Sequence, residues 1–180
     1  MESLVDNTLT DKNTGHSYLA VYEELFSPFR DTCKNILEVG VFDGGSIKLW
    51  EDYFPKANIY GLDLDLRRNK FTPRTHRVHI LQADAYSPSV VGKFESESFD
   101  AVIDDGWHTL DSMCLFAALY INFVRPGGYL IIEDLQHPSW ADEIKKFLPS
   151  SMVSRVEDRR HVKGRHDDIM FIVQKPTNPN

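Results

Sequence analysis

Short apolar runs alternate with segments of helical periodicity along this chain, and the alternation limits the possible folds more than any other feature. The runs are rich in Val, Ile and Leu and end in acidic or small residues, which is typical of buried strands. Strands that alternate with helices form βαβ units, and such units build a mainly parallel sheet. Five runs predict its central strands: NILEVGVF (35–42), NIYGLDLD (58–65), VHILQAD (78–84), SFDAVIDDG (98–106) and YLIIEDL (129–135).

The helices are predicted from apolar residues at a spacing of three and four. HSYLAVYEELFS (16–27) carries this pattern and is expected to end by Pro28, because proline interrupts helical hydrogen bonding. IKLWEDYF (47–54) is expected to follow the first strand, with Ser46 as its N-cap. The long apolar segment HTLDSMCLFAALYINFV (108–124) predicts a helix that RPGG stops before the fifth strand.

The C-terminal part departs from the alternation. MVSRVEDRR (152–160) and DDIMFIVQK (167–175) are two strands in succession, joined by the basic turn HVKGRH (161–166). The sequence therefore predicts an α/β fold with a doubly wound, seven-stranded, mostly parallel sheet and a C-terminal antiparallel hairpin. We expect one domain over 1–180, with an N-terminal helical segment at 1–30 and a tail at 175–180.

Composition excludes several classes of function. The chain has 180 residues, a net charge of −7 and a pI near 5.4, which disfavours binding to nucleic acid or to an anionic membrane surface. Its two cysteines, Cys33 and Cys114, form no CxxC motif and indicate neither a zinc site nor a disulfide framework. No signal peptide and no apolar run of about 18 residues is present, so we expect a cytoplasmic protein.

A glycine-rich turn follows the first strand in LEVGVFDGGS (37–46). Such a turn lets a ligand approach the backbone closely, although a tight strand-to-helix turn without a ligand would look the same. Phe42 replaces the second glycine of the dinucleotide motif GxGxxG, and no GK[ST] follows for a P-loop. The spacing ExGxxxG instead resembles motif I of class I S-adenosylmethionine-dependent methyltransferases.

This resemblance implies a cofactor site at the carboxyl ends of the first strands. In that family the glycine turn holds the amino-acid part of the cofactor, the second strand supplies an acid for the ribose, and the third supplies the adenine contacts. Ligands of doubly wound sheets bind at these strand ends. The implied cofactor residues are Glu38, Gly40, Val41, Asp43, Gly44, Gly45, Ser46, Asp63, Asp84, Ala85 and, on the cofactor side of the fourth strand, Asp104.

Adjacent acids end the fourth and fifth strands in DDGWH (104–108) and IIEDL (131–135). In a class I methyltransferase sheet these strands are neighbours, so Asp105, Glu133 and Asp134 should lie at one rim. Three carboxylates at the ends of two neighbouring strands repel one another unless a cation lies between them. Oxygen ligands suit Mg²⁺. The alternative is that these acids cap helices or stay solvated. His108 is expected to open the next helix near this rim and to act as general base on an acceptor hydroxyl.

A closer resemblance combines DDG-x-H and PGG-Y-x-I-EDL with the early segments TDKNTGHSY and EVGVFDGGSIKLWEDYFP. Over roughly residues 10–140 the chain is similar to the metal-dependent macrocin- and mycinamicin-type sugar O-methyltransferases. The resemblance implies Mg²⁺ on Asp105, Glu133 and Asp134, with His108 as base. The chain departs from that family in two ways that concern the acceptor: Trp107 replaces the small residue usual before the histidine, and the chain is shorter than those enzymes.

Three functions stay open on sequence alone. The leading one is magnesium-dependent O-methylation of a small-molecule hydroxyl, as in a sugar or a glycosylated natural product. A catechol-type O-methyltransferase would typically use an Asp/Asp/Asn set with a lysine base, which the Glu-Asp pair and the histidine disfavour. The third is a cofactor-binding protein without catalysis. A second copy of this short chain could complete the pocket, which would make a homo-oligomer. Trp107 could stack on a sugar or aromatic ring or simply cover the site, and His137 could contact substrate.

Overall fold

The computed structural model describes residues 1–177. Of the predicted tail at 175–180, the last three residues lie outside that range. Within it, no helix is both long and apolar enough to cross a bilayer.

Among residues 1–177, seven strands form one sheet in the order β3-β2-β1-β4-β5-β7-β6. The pairs among β1 to β5 are parallel, whereas β5–β7 and β6–β7 are antiparallel. The predicted sheet, including its antiparallel C-terminal end, is therefore confirmed. The strands are β1 Asn35–Val39, β2 Asn58–Asp63, β3 Val78–Gln82, β4 Phe99–Asp104, β5 Val124–Ile132, β6 Val153–Asp158 and β7 Ile169–Gln174.

Six α-helices are present among the described residues, and several bounds differ from the prediction. The short α3 was not predicted, because four residues carry no periodic signal. A short helix, α6, joins the last two strands in place of a simple turn. The helices are α1 Leu19–Phe26, α2 Gly45–Tyr53, α3 Pro88–Val91, α4 Leu110–Tyr120, α5 Trp140–Lys145 and α6 Arg160–Lys163.

Helix starts near the predicted site also differ. Gly44, left-handed at φ 88°, is the N-cap of α2, so Ser46 lies inside the first turn and the predicted cap was wrong. His108 does not open α4. It has φ 50°, and Thr109 caps the helix by accepting the Ser112 N–H at 3.1 Å. His108 therefore lies in the connection between strand and helix.

The core has two layers, one on each face of the sheet. Alternate strand residues such as Ile36 and Ile103 face α1 and α2, where Trp50 is fully buried among aromatic rings. The intervening residues, such as Leu37 and Val102, face α4. Burying each large apolar side chain contributes roughly 1.5–3 kcal/mol. These layers hold the strand ends, and therefore the site, in fixed positions.

Strand register brings the predicted acids together. Val39 pairs with Asp104 across β1–β4, and Asp104 pairs with Ile132 across β4–β5. The residues that follow, Asp105 and Glu133, are therefore the first to leave neighbouring strands. The Glu133 N–H still donates to the Asp104 carbonyl at 3.0 Å, so this register extends into the rim.

Candidate cofactor and metal site

A cavity of about 680 Å³ opens at the carboxyl ends of β1 to β5. This volume is within the range of small-molecule sites, about 300–1,000 Å³. Most of the residues predicted for the site line it. They are Gly40, Val41, Asp43, Gly45, Ser46, Asp63, Asp84, Ala85, Asp105, His108 and Asp134. Glu38, Gly44, Asp104 and Glu133 are not among the lining residues.

The turn after β1 brings the backbone to the cavity. At one position of this turn, only glycine fits. Gly40 has φ 93°, and a Cβ there would lie 2.0 Å from the Asp105 carbonyl oxygen. Phe42 is left-handed at φ 48°. Asp63 holds this turn, because its Oδ2 accepts the N–H groups of Val41 at 2.8 Å and Phe42 at 3.0 Å. The turn is thus fixed from the neighbouring strand.

Residues 7–14, which we call the N-terminal strap, form the opposite wall, and sequence reasoning missed this wall. Leu9 and Thr10 line the cavity, and a Cβ on Gly45 would lie 2.4 Å from the Leu9 carbonyl carbon. Tyr18, which follows the strap, lies beneath the rim and donates to Asp134 Oδ1 at 2.7 Å. In the sequence, only the family resemblance of the segment TDKNTGHSY pointed to this wall.

The second and third strand ends add carboxylates that face the cavity. Asp63 lines it while its Oδ1 accepts the Asp65 N–H at 3.0 Å. Asp84 and Ala85 follow β3, and the Asp84 carboxylate accepts the Tyr86 N–H at 3.0 Å. The carboxylates of Asp63 and Asp84 and the small apolar side chain of Ala85 therefore border the same cavity.

Two predicted cofactor residues do not line that space. Asp104 is buried and accepts from the Tyr86 hydroxyl at 2.7 Å, and burial raises the pKa of its carboxyl to about 7. Glu38 is fully buried on the other face, where Trp50 Nε1 donates to it at 2.9 Å. Both side chains therefore support the walls of the site from behind. Asp43, by contrast, lines the cavity and pairs with Lys70 at 2.8 Å, which lowers the pKa of its carboxyl.

Three ligand atoms converge at the rim between β4 and β5. Nε2 of His108 lies 3.8 Å from Asp105 Oδ1 and 3.7 Å from Asp134 Oδ2. The three residues each offer one atom within 4.8 Å of the others. Within residues 1–177, no hydrogen bond is made to these two carboxylate oxygens. The group is open and faces the cavity.

A second convergence point lies deeper and already holds a cation. The buried Lys12 ammonium is 2.7 Å from Asp105 Oδ2, 2.5 Å from Glu133 Oε2 and 3.3 Å from Glu38 Oε1. Burial alone would lower the pKa of Lys12, but the three carboxylates raise it well above its ordinary value. The other Glu133 oxygen accepts from the Tyr22 hydroxyl. Lys12 escaped prediction because no local pattern links it to these acids.

Burial and mutual repulsion disfavour the ionised forms of the acids at this rim. Burial, followed by repulsion from Asp105, raises the pKa of Asp134 to about 8. Burial also raises the pKa of Glu133 well above its ordinary value, against the effect of Lys12. A hard divalent ion at the open point would lower both values by attracting the ionised forms. The acidic donor set therefore fits Mg²⁺. Asp105 Oδ1 and Asp134 Oδ2 have no hydrogen-bond donor, and Glu133 accepts from Lys12 and Tyr22.

The remaining candidates differ in position. Trp107 is 63% exposed at the mouth of the cavity, and its ring centroid lies 5.8 Å from that of Tyr86. His137 does not line the cavity, and its Nδ1 is 2.7 Å from the Ser139 hydroxyl. Arg165, from the basic turn, does line it and is paired with Asp167 at 2.7 Å. A substrate would thus meet an aromatic ring beside His108.

Comparison with known proteins gives relatives by sequence but no matching family model. The chain is 36% identical over 141 residues, 73% of its length, to the 8-demethyl-8-alpha-L-rhamnosyl tetracenomycin-C 2'-O-methyltransferase of Streptomyces olivaceus. It is 33% identical over 69% of its length to the mycinamicin VI 2''-O-methyltransferase of Micromonospora griseorubida. It is 30% identical over 78% of its length to the demethylmacrocin O-methyltransferase of Streptomyces fradiae. The matched regions are 36%, 33% and 37% of those proteins, so the chain spans about a third of their length.

The fold is shared with solved methyltransferase structures. A complex of the methyltransferase MycE, from the mycinamycin biosynthetic pathway, with Mg, SAH and mycinamycin VI superimposes with a TM-score of 0.67 at 24% identity. The match covers 92% of this chain and 50% of that one. A methyltransferase from Archaeoglobus fulgidus, described as SAM-dependent, gives a TM-score of 0.61 at 11% identity, over 88% of this chain and 94% of that one.

Proposed function

By sequence this chain belongs with the macrocin- and mycinamicin-type sugar O-methyltransferases, and from that premise we propose its reaction. It transfers a methyl group from S-adenosylmethionine to a hydroxyl of a sugar or glycosylated small molecule, and it requires Mg²⁺. One observation carries the proposal. Asp105 Oδ1, Asp134 Oδ2 and His108 Nε2 converge at the rim of a cavity that a glycine turn and Asp63 line.

The cofactor fits the larger part of the cavity. Gly40 and Gly45 leave space that a side chain would fill, and both border the ligand space. Asp63, which lines the cavity, would accept the ribose hydroxyls, while Asp84 and Ala85 would contact the adenine. Glu38 and Asp104 would stabilise these walls without touching the cofactor. S-adenosylmethionine supplies the methyl group when bound.

Mg²⁺ supplies charge stabilisation to an acceptor oxygen when bound. Asp105 and Asp134 would hold the ion through the oxygens that no donor engages. His108 would accept the hydroxyl proton at Nε2, since this nitrogen lies beside both carboxylates and the ring is 34% exposed. The acceptor oxygen would then take the methyl group, and the carbon–sulfur bond of the cofactor would break with its electron pair left on sulfur.

The sugar class is favoured over a catechol by the chain's own residues as well as by its relatives. The candidate base is a histidine, and the lysine nearest the acids, Lys12, is buried and saturated with carboxylates. Trp107 presents an exposed ring next to His108, which would suit stacking on a sugar.

Cys33 and Cys114 are both free, which fits the cytoplasmic location that we propose.

The test combines binding and turnover. His108→Ala should keep calorimetric binding of S-adenosylmethionine and Mg²⁺ but lose at least about 100-fold in methyl transfer from radiolabelled cofactor to glycosylated acceptors. His137→Ala is the matched control, because His137 contacts Ser139 outside the cavity. Turnover that survives in His108→Ala would exclude the histidine as base. Cofactor binding without any Mg²⁺-dependent transfer by the unmodified chain would favour a non-catalytic protein.

A further inference from the structure

Arg165 lines the cavity on the side away from the glycine turn. It precedes β7, and because β7 runs antiparallel to β5, the start of β7 lies at the same rim as the end of β5. The carbonyl of Ile169, the first residue of β7, accepts the Leu135 N–H at 3.1 Å. In the strand order of the sheet, the glycine turn and the acids predicted to hold the cofactor therefore lie on one side of Asp134, and Arg165 lies on the other.

Tyr18 ties this segment to the rim where methyl transfer is proposed. Its hydroxyl lies 2.7 Å from Asp134 Oδ1 and 3.0 Å from the carbonyl oxygen of Asp167. Burial alone would lower the pKa of Arg165, but nearby carboxylates, first Asp167 and also Asp134, raise it. The guanidinium is therefore charged and lies within electrostatic reach of the rim.

The guanidinium of Arg165 is held in place and still has a donor to spare. Nε donates to Asp167 Oδ1 at 2.7 Å, and Nη1 donates to Asp11 Oδ2 at 3.3 Å. Gly15 leaves the space for it, because a Cβ there would lie 2.8 Å from Nη1. Within residues 1–177, Nη2 donates to no protein acceptor, and the side chain is 36% exposed. Nη2 therefore remains for a ligand in the cavity.

The charges around Arg165 favour a neutral ligand. Among the described residues that line the cavity, Arg165 is the only lysine or arginine, and Asp11 and Asp167 line it as well. One positive charge beside two negative ones lacks the excess of positive charge that attracts a phosphate or a carboxylate. Each hydroxyl of a sugar both donates and accepts hydrogen bonds, so it suits a guanidinium that lies beside carboxylates.

We propose that Arg165, Asp11 and Asp167 form the subsite that binds the acceptor, and that this subsite selects a neutral sugar. The inference rests on the proposed function and names the part of the cavity that the acceptor occupies. With the reacting hydroxyl beside His108, the rest of the sugar ring extends past Asp134, because the cofactor takes the opposite side. Nη2 of Arg165 donates to a second hydroxyl of the ring, and Asp11, whose side chain is 59% exposed, accepts from another.

The test measures the binding of methyl glycosides to the full chain by saturation-transfer-difference NMR, with S-adenosylhomocysteine and Mg²⁺ present. The neutral probes are methyl α-L-rhamnoside and methyl β-D-glucoside, and methyl β-D-glucuronide is the anionic counterpart of the glucoside. Arg165→Gln and Arg165→Lys are compared with the unmodified chain. Arg160→Gln is the matched control, because Arg160 pairs with Asp158 at 2.6 Å in the same connection but does not line the cavity. Thermal denaturation checks that each variant folds.

Arg165→Gln should weaken the binding of a neutral glycoside by at least about fivefold, as for the loss of a hydrogen bond from a charged donor. Arg165→Lys should weaken it less, because lysine keeps the charge but loses the planar fork. Arg160→Gln should stay within about twofold of the unmodified chain, as expected for a surface substitution. Calorimetric binding of S-adenosylhomocysteine should stay within about threefold in every variant.

Unchanged glycoside binding in Arg165→Gln would overturn the inference, as would a lack of neutral glycoside binding by the unmodified chain. An equal loss of S-adenosylhomocysteine binding would overturn it too, because Arg165 would then serve the cofactor or merely fasten the strap. Tighter binding of the glucuronide than of the glucoside would assign the subsite to an anion instead. Glycoside binding that depends on Arg165 but gives no Mg²⁺-dependent methyl transfer would overturn the proposed function alone. Methyl transfer with an unchanged acceptor KM in Arg165→Gln would overturn only the inference.

Discussion

Asp63→Asn removes a carboxylate that holds the glycine turn in a conformation Phe42 would otherwise avoid. Oδ2 of Asp63 accepts two backbone N–H groups, from Val41 and Phe42, and Oδ1 accepts the Asp65 N–H. An asparagine has one acceptor oxygen, so its amino group must face at least one of these donors. Either orientation leaves a backbone N–H opposed to another donor.

The expected cost follows from the hydrogen bonds lost. A hydrogen bond to a charged group contributes about 1.5–3 kcal/mol, and water replaces part of it here because Asp63 is only partly buried. We therefore expect a loss of about 1–2 kcal/mol in the free energy of unfolding. S-adenosylmethionine binding should weaken by about tenfold or more, since Asp63 also lines the cavity.

Urea denaturation followed by far-UV circular dichroism measures the first effect, and calorimetry measures the second. The matched control repeats the comparison of Asp63→Asn with the original Asp63 in a Phe42→Gly background. Glycine accepts φ 48° freely, whereas other residues lose about 1–2 kcal/mol in the left-handed region. Asp63→Asn should therefore cost less in that background. An unfolding free energy within about 0.5 kcal/mol of the unmodified chain would refute the argument, because surface substitutions alone change stability by that much.

Two further predictions concern a glycine that lines the cavity and a buried carboxyl that does not. Gly40→Ala should lower the free energy of unfolding in urea more than Gly127→Ala does. Both glycines have positive φ, but only a Cβ on Gly40 would lie 2.0 Å from the Asp105 carbonyl oxygen. Equal losses in the two variants would contradict this steric explanation. Burial raises the pKa of Asp104 to about 7, above its unfolded value, so its contribution to stability is lost as the pH rises from about 4 through 7. Asp104→Asn should gain on the unmodified chain by up to about 1.4 kcal/mol per pH unit between pH 5 and 7. A constant difference across that range would exclude the carboxyl as the cause.

Local sequence patterns were enough for the sheet and for much of the rim. Strand alternation set the sheet, and the side-chain period of two placed Asp104 and Asp105 on opposite sides. Asp105 indeed lines the cavity, whereas Asp104 does not line it and accepts from the Tyr86 hydroxyl. Parallel neighbours then brought Asp134 near Asp105. Each of these inferences depends on residues close in sequence or on the end of a recognisable strand.

Only the tertiary structure decided which acids meet which cation. Lys12 is separated from Asp105 by 93 positions and from Glu133 by 121, so no periodicity or spacing could pair them. The strap places this ammonium under the rim, and Glu38 and Glu133 turn toward it. Burial makes that choice, because an ammonium excluded from water binds whichever carboxylates the folded strands bring within reach. The sequence therefore determined where negative charge gathers, and the packed chain determined which part of it remains free for an ion.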